Sequence, residues 1–139
     1  MKIEIKRSDD KFRMLAKNES GNELIMDASR EAGGEESGFR PMQLLLSALG
    51  GCSTIDILLI LKKQKQTVES FEVEVNGDRE KVEEYSLFRN IELHFKIKGE
   101  VDRSKAEKAI QLSLDKYCSV AKTLEPTAKI THKLSINGI

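Results

Sequence analysis

Residues Pro41 to Gln66 read PMQLLLSALGGCSTIDILLILKKQKQ, the longest apolar stretch in the chain. Between Met42 and Leu61 the polar side chains are Gln43, Ser47, Ser53, Thr54 and Asp56; the remainder are aliphatic, small or cysteine. Pro41 suits the first position of a helix, where the missing N–H has no partner to lose. Lys62, Lys63 and Lys65 put positive charge at the far end, where the helix dipole favours it. An apolar run this long outlasts ordinary strands, so the stretch predicts a helix over 41–66. Apolar residues fall on nearly every side of it, which predicts a central buried helix and not a surface one. The run is also long enough to cross a bilayer. Against that, Asp56 would sit in hydrocarbon at substantial cost, and the segment lies mid-chain between amphipathic elements. The buried helix is the stronger reading.

Gly50 and Gly51, just before Cys52, need a reason, because each costs about 1 kcal/mol relative to alanine inside a helix. Close packing of another backbone is one. Room beside the Cys52 sulfur for a second chain or a small substrate is another, and the two are compatible.

Working outward, residues 1–28 alternate as strands do. Lys2-Ile3-Glu4-Ile5-Lys6, Phe12 to Ala16 and Leu24-Ile25-Met26 are separated by turn signals at Ser8-Asp9-Asp10 and Asn18-Glu19-Ser20-Gly21. Three short strands with tight turns predict an antiparallel meander. Residues 29–40, SREAGGEESGFR, lack apolar periodicity and read as a loop leading to the helix. Beyond the helix, Phe71, Val73 and Val75 alternate with glutamates, and Asn76-Gly77 signals a turn, leaving DREKVEE as an exposed loop or strand end. Tyr85, Leu87, Ile91, Leu93, Phe95 and Ile97 then place apolar residues at odd positions, with Arg89 and Phe88 out of phase; this predicts a long strand with one face on a core. Ser104-Lys105-Ala106-Glu107 has the form of a capping box, and Ala106, Ile110, Leu114, Tyr117 and Cys118 carry a helix to about Cys118. Pro126 forbids its continuation, and Ile130 to Ile136 alternates as a final strand. The chain therefore reads as a single α+β domain over residues 1–139, with antiparallel sheet and two long helices.

Lysine plus arginine and aspartate plus glutamate both number 23, so the net charge is zero. That balance points to neither nucleic acid nor an anionic membrane as partner. MKIEIKRSDD at the start has no apolar signal-peptide core, which leads us to expect a cytoplasmic protein with reduced thiols.

Cys52 and Cys118 are the only cysteines. Two free cysteines in a reducing compartment are most simply small buried hydrophobes. No metal-ligand spacing is present: there is no CxxC, and His94 and His132 stand isolated on strands. His132, on the apolar side of its strand, reads as a satisfied core histidine. No nucleophile elbow occurs, and AGGEESG lacks the GxGxxG spacing of a phosphate loop. No cofactor is implied.

The surroundings of Cys52 carry more. GFRPMQLLLSALGGCSTIDILL, followed by YCSV around Cys118 and a terminal strand, resembles the OsmC/Ohr family of thiol-dependent peroxidases. PMQLLLSALGGC is the specific part, similar to an OsmC-like branch whose members read P-M-E-L-L-L-x-A-L-G-G-C. The resemblance implies an intertwined homodimer with the long helices at its centre and active sites at the subunit interface. It implies Cys52 as the peroxidatic thiol and Cys118 as the resolving thiol, acting on organic hydroperoxides in oxidative stress defence. An external dithiol would act as reductant. Leu45, Leu49 and Ile55 would supply aliphatic walls. In the peroxidase branches a glutamate follows the helix-opening proline and pairs with an arginine that activates the thiolate; here Met42 stands there, with Gln43 next. The arginine would come from Arg30, in an REAGG context like a family segment, or from Arg40. Met42 keeps a second reading open, a dimeric binding protein of the same fold that holds a small apolar or thiol-reactive ligand. Asp56, four residues after Cys52, shares its helical face. A carboxylate there raises a thiol pKa, so we read Asp56 as structural, paired with a cation or a partner subunit.

Overall fold

The computed structural model describes all residues, 1–139, and divides them into two compact units, Met1–Leu45 and Leu46–Ile139. In the first, β1 (Ile3–Arg7), β2 (Met14–Asn18) and β3 (Glu23–Met26) form the expected antiparallel meander. The turns use short polar side chains to satisfy amides that no strand reaches. The Asp9 carboxylate accepts from the Lys11 and Arg13 amides at 2.9 and 3.0 Å. Asn18 accepts from Ser20 and Asn22 at 3.0 and 2.9 Å.

The 29–40 segment is more ordered than its composition implies. Ser29 caps a 3-10 turn over Arg30–Ala32, which Gly33 ends in the left-handed conformation. Phe39 returns to the meander, its amide donating to Ile25 O and its carbonyl accepting from Asp27 N, both at 3.0 Å. Asp27 holds the loop from below. It is buried, and its carboxylate accepts from the amides of Ala28, Glu35 and Ser37 and from the Ser37 hydroxyl. Those bonds, the Ser37 hydroxyl's first, hold its pKa down from 3.8 to about 2.

Helix α1 (Pro41–Lys63) follows. Gln43 in its first turn accepts from the Arg40 amide at 2.9 Å, as a capping-box residue does. In the second unit, β4 (Thr67–Lys81) and β5 (Ser86–Glu100) make a long antiparallel hairpin, and β6 (Lys129–Ile136) adds to β5 in parallel. The expected all-antiparallel sheet is thus corrected to a mixed one. The chain between β5 and β6 is helical and carries β6 back in the same direction as β5, which permits parallel pairing.

The turn expected at Asn76-Gly77 is absent: both residues pair within β4, opposite Glu92 and Ile91. Gly77 is there for packing, since a Cβ on it would stand 2.7 Å from the Phe88 ring and 2.9 Å from Leu46. The hairpin turns instead at Val82–Tyr85, where Val82 N donates to Tyr85 O. A bulge shifts the register between Asp78 and Arg79, so that Asp78 faces Asn90 and Arg79 faces Phe88. Arg89 is the extra residue, and it explains why Phe88 is buried at an even position while Ile91, Leu93, Phe95 and Ile97 are buried at odd ones.

Phe71, Val73 and Val75 of β4 pair across from Ile97, Phe95 and Leu93 and share one face with Leu134 and Ile136 of β6. The opposite face is charged, with Lys96–Glu74 and Lys133–Glu92 ion pairs at 2.8 and 3.0 Å. Val73 and Val75 lie under Gly50 of α1; a Cβ there would meet Val75 at 3.0 Å. The side of α1 that is buried is a single stripe, Leu49, Gly50, Ser53, Ile57 and Leu61. Ile55 and Leu59 are 62% and 54% exposed. The expectation of a helix buried on every side is therefore met on one side within the chain.

Helix α2 (Arg103–Leu112) starts two residues earlier than the Ser104 capping box implies. Asp102 is the cap, accepting from Lys105 N at 2.9 Å, while the Ser104 hydroxyl donates to Asp102 at 2.6 Å. Its Glu107 lies 3.2 Å from His132 Nε2, the partner that makes His132 a satisfied histidine. The helix continues as a π turn over Ser113–Tyr117, breaks at Cys118, and resumes as α3 (Ser119–Leu124) before Pro126.

Candidate active site

Cys52 follows the buried stripe of α1 by a fraction of a turn: Ser53 beside it is fully buried, and Cys52 itself is half-buried. Cys118 comes from the end of the second helical segment. The π turn adds a residue to the helical repeat, a distortion often found at functional sites. The turn closes through the Cys118 amide, which donates to Ser113 O at 2.7 Å. Cys118 then turns extended, at φ −71 and ψ 102, and caps α3, its sulfur accepting from Ala121 N at 3.4 Å.

Both cysteines are thiols, and their sulfurs lie within 4.8 Å of one another and of an Asp56 carboxylate oxygen. Cys118 is fully buried. Its pKa is pushed up from 9.0 to about 11, chiefly by burial, against a lowering by the Ala121 amide and with a further raising by the adjoining Cys52 sulfur. Cys118 is accordingly held as the neutral thiol near neutral pH.

Asp56 is one turn beyond Cys52, and its Oδ2 accepts from the buried Ser113 hydroxyl at 3.0 Å. Within the single chain its partner is this hydroxyl and not a cation, one of the two partners expected for it. Ser113 is a site residue that sequence reading missed; a serine inside a helix that ends in a cysteine carries no pattern of its own. Beside Asp56 an open groove of about 540 Å³ is lined by Leu59, Ile60, Leu112 and Tyr117, with Lys63 and Gln64 at its polar side. Of the three expected aliphatic walls, Leu49 is buried, while Leu45 and Ile55 are 39% and 62% exposed.

Arg30 and Arg40 both belong to the first unit. Arg30 Nε lies 3.6 Å from one carboxylate oxygen of Glu36, and Arg40 lies 3.8 Å from the other. Glu36 thus gives both arginines a carboxylate partner from the loop before Pro41, where Met42 after it offers none. It does so with φ +54, a left-handed conformation rare outside glycine.

Comparison with known proteins places the chain among its relatives. The family model for OsmC-like proteins matches residues 33–133. Protein YhfA of Escherichia coli K12 is 37% identical over 123 residues, 88% of each chain. A hypothetical protein from Aquifex aeolicus shares the structure with a TM-score of 0.81 and 30% identity, covering 98% of this chain and 96% of that one. An organic hydroperoxide resistance protein of Legionella pneumophila shares the fold at a TM-score of 0.74 and 18% identity, with 97% of each chain covered. On the family match over residues 33–133 and its 37% identity to YhfA, this chain belongs to the OsmC-like family.

Proposed function

We propose that this protein reduces organic hydroperoxides with Cys52 as the attacking thiol and Cys118 as the resolving one. The observation that carries the reading is the asymmetry of the pair: two sulfurs within 4.8 Å, one half-buried and one fully buried with its pKa up at about 11. The attacking group must be a thiolate that substrate can reach; the resolving group needs only to meet the oxidised sulfur. In the first step the Cys52 thiolate takes the outer oxygen of ROOH, the O–O bond breaks, and the alkoxide leaves as ROH after gaining a proton. The product is a Cys52 sulfenic acid. Cys118 then attacks that sulfur, hydroxide leaves as water with the thiol proton, and a disulfide forms. The sulfurs have to close by under about 3 Å to reach bonding distance. An external dithiol returns both to thiols by exchange. Apolar walls at Leu59, Ile60 and Leu112 favour an organic substituent on the peroxide.

Arg30 or Arg40, steadied by Glu36, supplies the positive charge that favours the Cys52 thiolate in this reading. The working protein is a homodimer in the cytoplasm. Support for the dimer comes from α1: Ile55, Leu58 and Leu59 are exposed, and a Cβ on Gly51 would meet nothing within 4 Å, so the helix offers a bare apolar flank beside Cys52. A second copy covers that flank more cheaply than lipid, which would have to accept Asp56.

The deciding experiment follows cumene hydroperoxide consumption by purified reduced protein with a dithiol donor. Turnover that Cys52→Ser abolishes supports the reading. If the peroxide is left untouched, the binding reading takes its place; Met42 at the family's glutamate position is the observation that favours it.

A further inference from the structure

The peroxide chemistry proposed above uses two sulfurs and leaves Asp56 without a task. Within its own unit Asp56 is bonded to a hydroxyl instead of a cation. Three atoms able to carry negative charge, the Cys52 and Cys118 sulfurs and an Asp56 oxygen, all lie within 4.8 Å of one another. A divalent cation can take all three as ligands.

We propose that the reduced protein binds one thiophilic divalent cation, Zn²⁺ above others, through Cys52, Cys118 and Asp56. Two thiolates and a carboxylate are ligands that zinc accepts, and three protein ligands leave the fourth tetrahedral position to water. Magnesium and calcium, which prefer oxygen shells, are excluded by the two sulfurs. Zinc–sulfur bonds of about 2.3 Å and zinc–oxygen bonds of about 2.0–2.2 Å set ligand atoms of a tetrahedral site roughly 3.5–3.8 Å apart. The three groups therefore need to draw in by about 1 Å, a change within reach of side-chain rotation. Ser113 steadies the carboxylate from behind, its hydroxyl donating to Oδ2 at 3.0 Å, as the partners of metal-binding carboxylates do. The groove at Asp56 gives the ion a path from solvent.

The ion and the disulfide of the proposed cycle compete for the same sulfurs. When ROOH takes two electrons from the pair, ROH and water leave with two protons taken up, the sulfurs join, and the ion loses two of its three ligands. Metal binding itself needs no peroxide, so it is tested on reduced protein alone and stands or falls apart from the peroxidase reading.

Reduced protein is titrated with Co²⁺, reading thiolate-to-cobalt charge-transfer absorption, and then with Zn²⁺ against a chromogenic chelator. The expected result is one ion per chain, with the charge-transfer intensity of two thiolates falling to about half in Cys118→Ser. Asp56→Asn should keep the charge-transfer band and weaken Zn²⁺ binding more than tenfold, and Ser113→Ala should weaken it by about tenfold. Should Asp56→Asn lose the native circular dichroism, Ser113→Ala carries the decision. Absence of the band in the wild type, or Zn²⁺ affinity unchanged in the carboxylate or serine variant, overturns the proposal.

Discussion

Cys118 carries its role in its surroundings more than in its sequence. Its place at the end of a helical pattern was legible, because Ala106, Ile110 and Leu114 mark the apolar side and Pro126 limits the run. Its approach to Cys52 depends on a π turn over Ser113–Tyr117, and nothing in SLDKY distinguishes a π turn from an ordinary one. Asp56 was visible as the i+4 neighbour of Cys52, yet its hydroxyl partner is 57 residues distant in sequence. Two predictions belong to single residues. If Arg30 or Arg40 favours the Cys52 thiolate, replacing the responsible one by alanine should raise the pH at which Cys52 alkylates. Iodoacetamide rates measured across pH on both variants check this, and an unchanged profile in both removes arginine from the mechanism. The other concerns Asp27, whose folded pKa of about 2 lies below its ordinary 3.8. A depressed carboxylate stabilises the fold above its unfolded pKa, and that contribution is lost as pH falls through the folded one. Asp27→Asn should therefore be less stable than wild type at neutral pH. The gap should close between about pH 4 and pH 2 in urea melts; a gap independent of pH would assign the stability to shape alone.

At the scale of elements, α1 was the most legible and the Asn76-Gly77 segment the least. Length, Pro41 and the terminal lysines define the helix locally. Asn-Gly is a strong turn signal, but here cross-strand pairing and the Phe88 ring overrule it, since both are non-local. The two glycines of α1 divide their tasks: Gly50 lies on Val75, whereas Gly51 faces open space. This gives a paired prediction. Gly50→Ala should be less stable than Gly51→Ala in a chemical melt, because contact of its Cβ with Val75 offsets the helix propensity that both substitutions gain. In the chain alone Gly51→Ala should gain about 1 kcal/mol of helix propensity. In a dimer whose second helix approaches there, the added methyl should instead shift the sedimentation profile toward monomer. A variant that is both more stable and still dimeric would move the interface away from Gly51. Similarly, Gly77→Ala should lower stability by about 1–3 kcal/mol in a chemical melt, because its Cβ meets Phe88 and Leu46.

For the molecule as a whole, α+β class and element order followed from periodicity, while the parallel pairing of β6 did not. Strand direction is set by the helical connection between β5 and β6, which sequence shows only as a length. The exposed apolar flank of α1 likewise has meaning only beyond the single chain, and sedimentation of the wild type at micromolar concentration should give a dimer, against a stable folded monomer if the flank serves another purpose. The central claim of the proposed function is that Cys52 and Cys118 form one redox couple with a fixed order. Peptide mass spectrometry after one equivalent of cumene hydroperoxide tests it most directly. A Cys52–Cys118 disulfide is expected in the wild type, a trappable sulfenic acid on Cys52 in Cys118→Ser, and neither product in Cys52→Ser. Oxidation appearing first on Cys118, or both thiols remaining untouched, would contradict it.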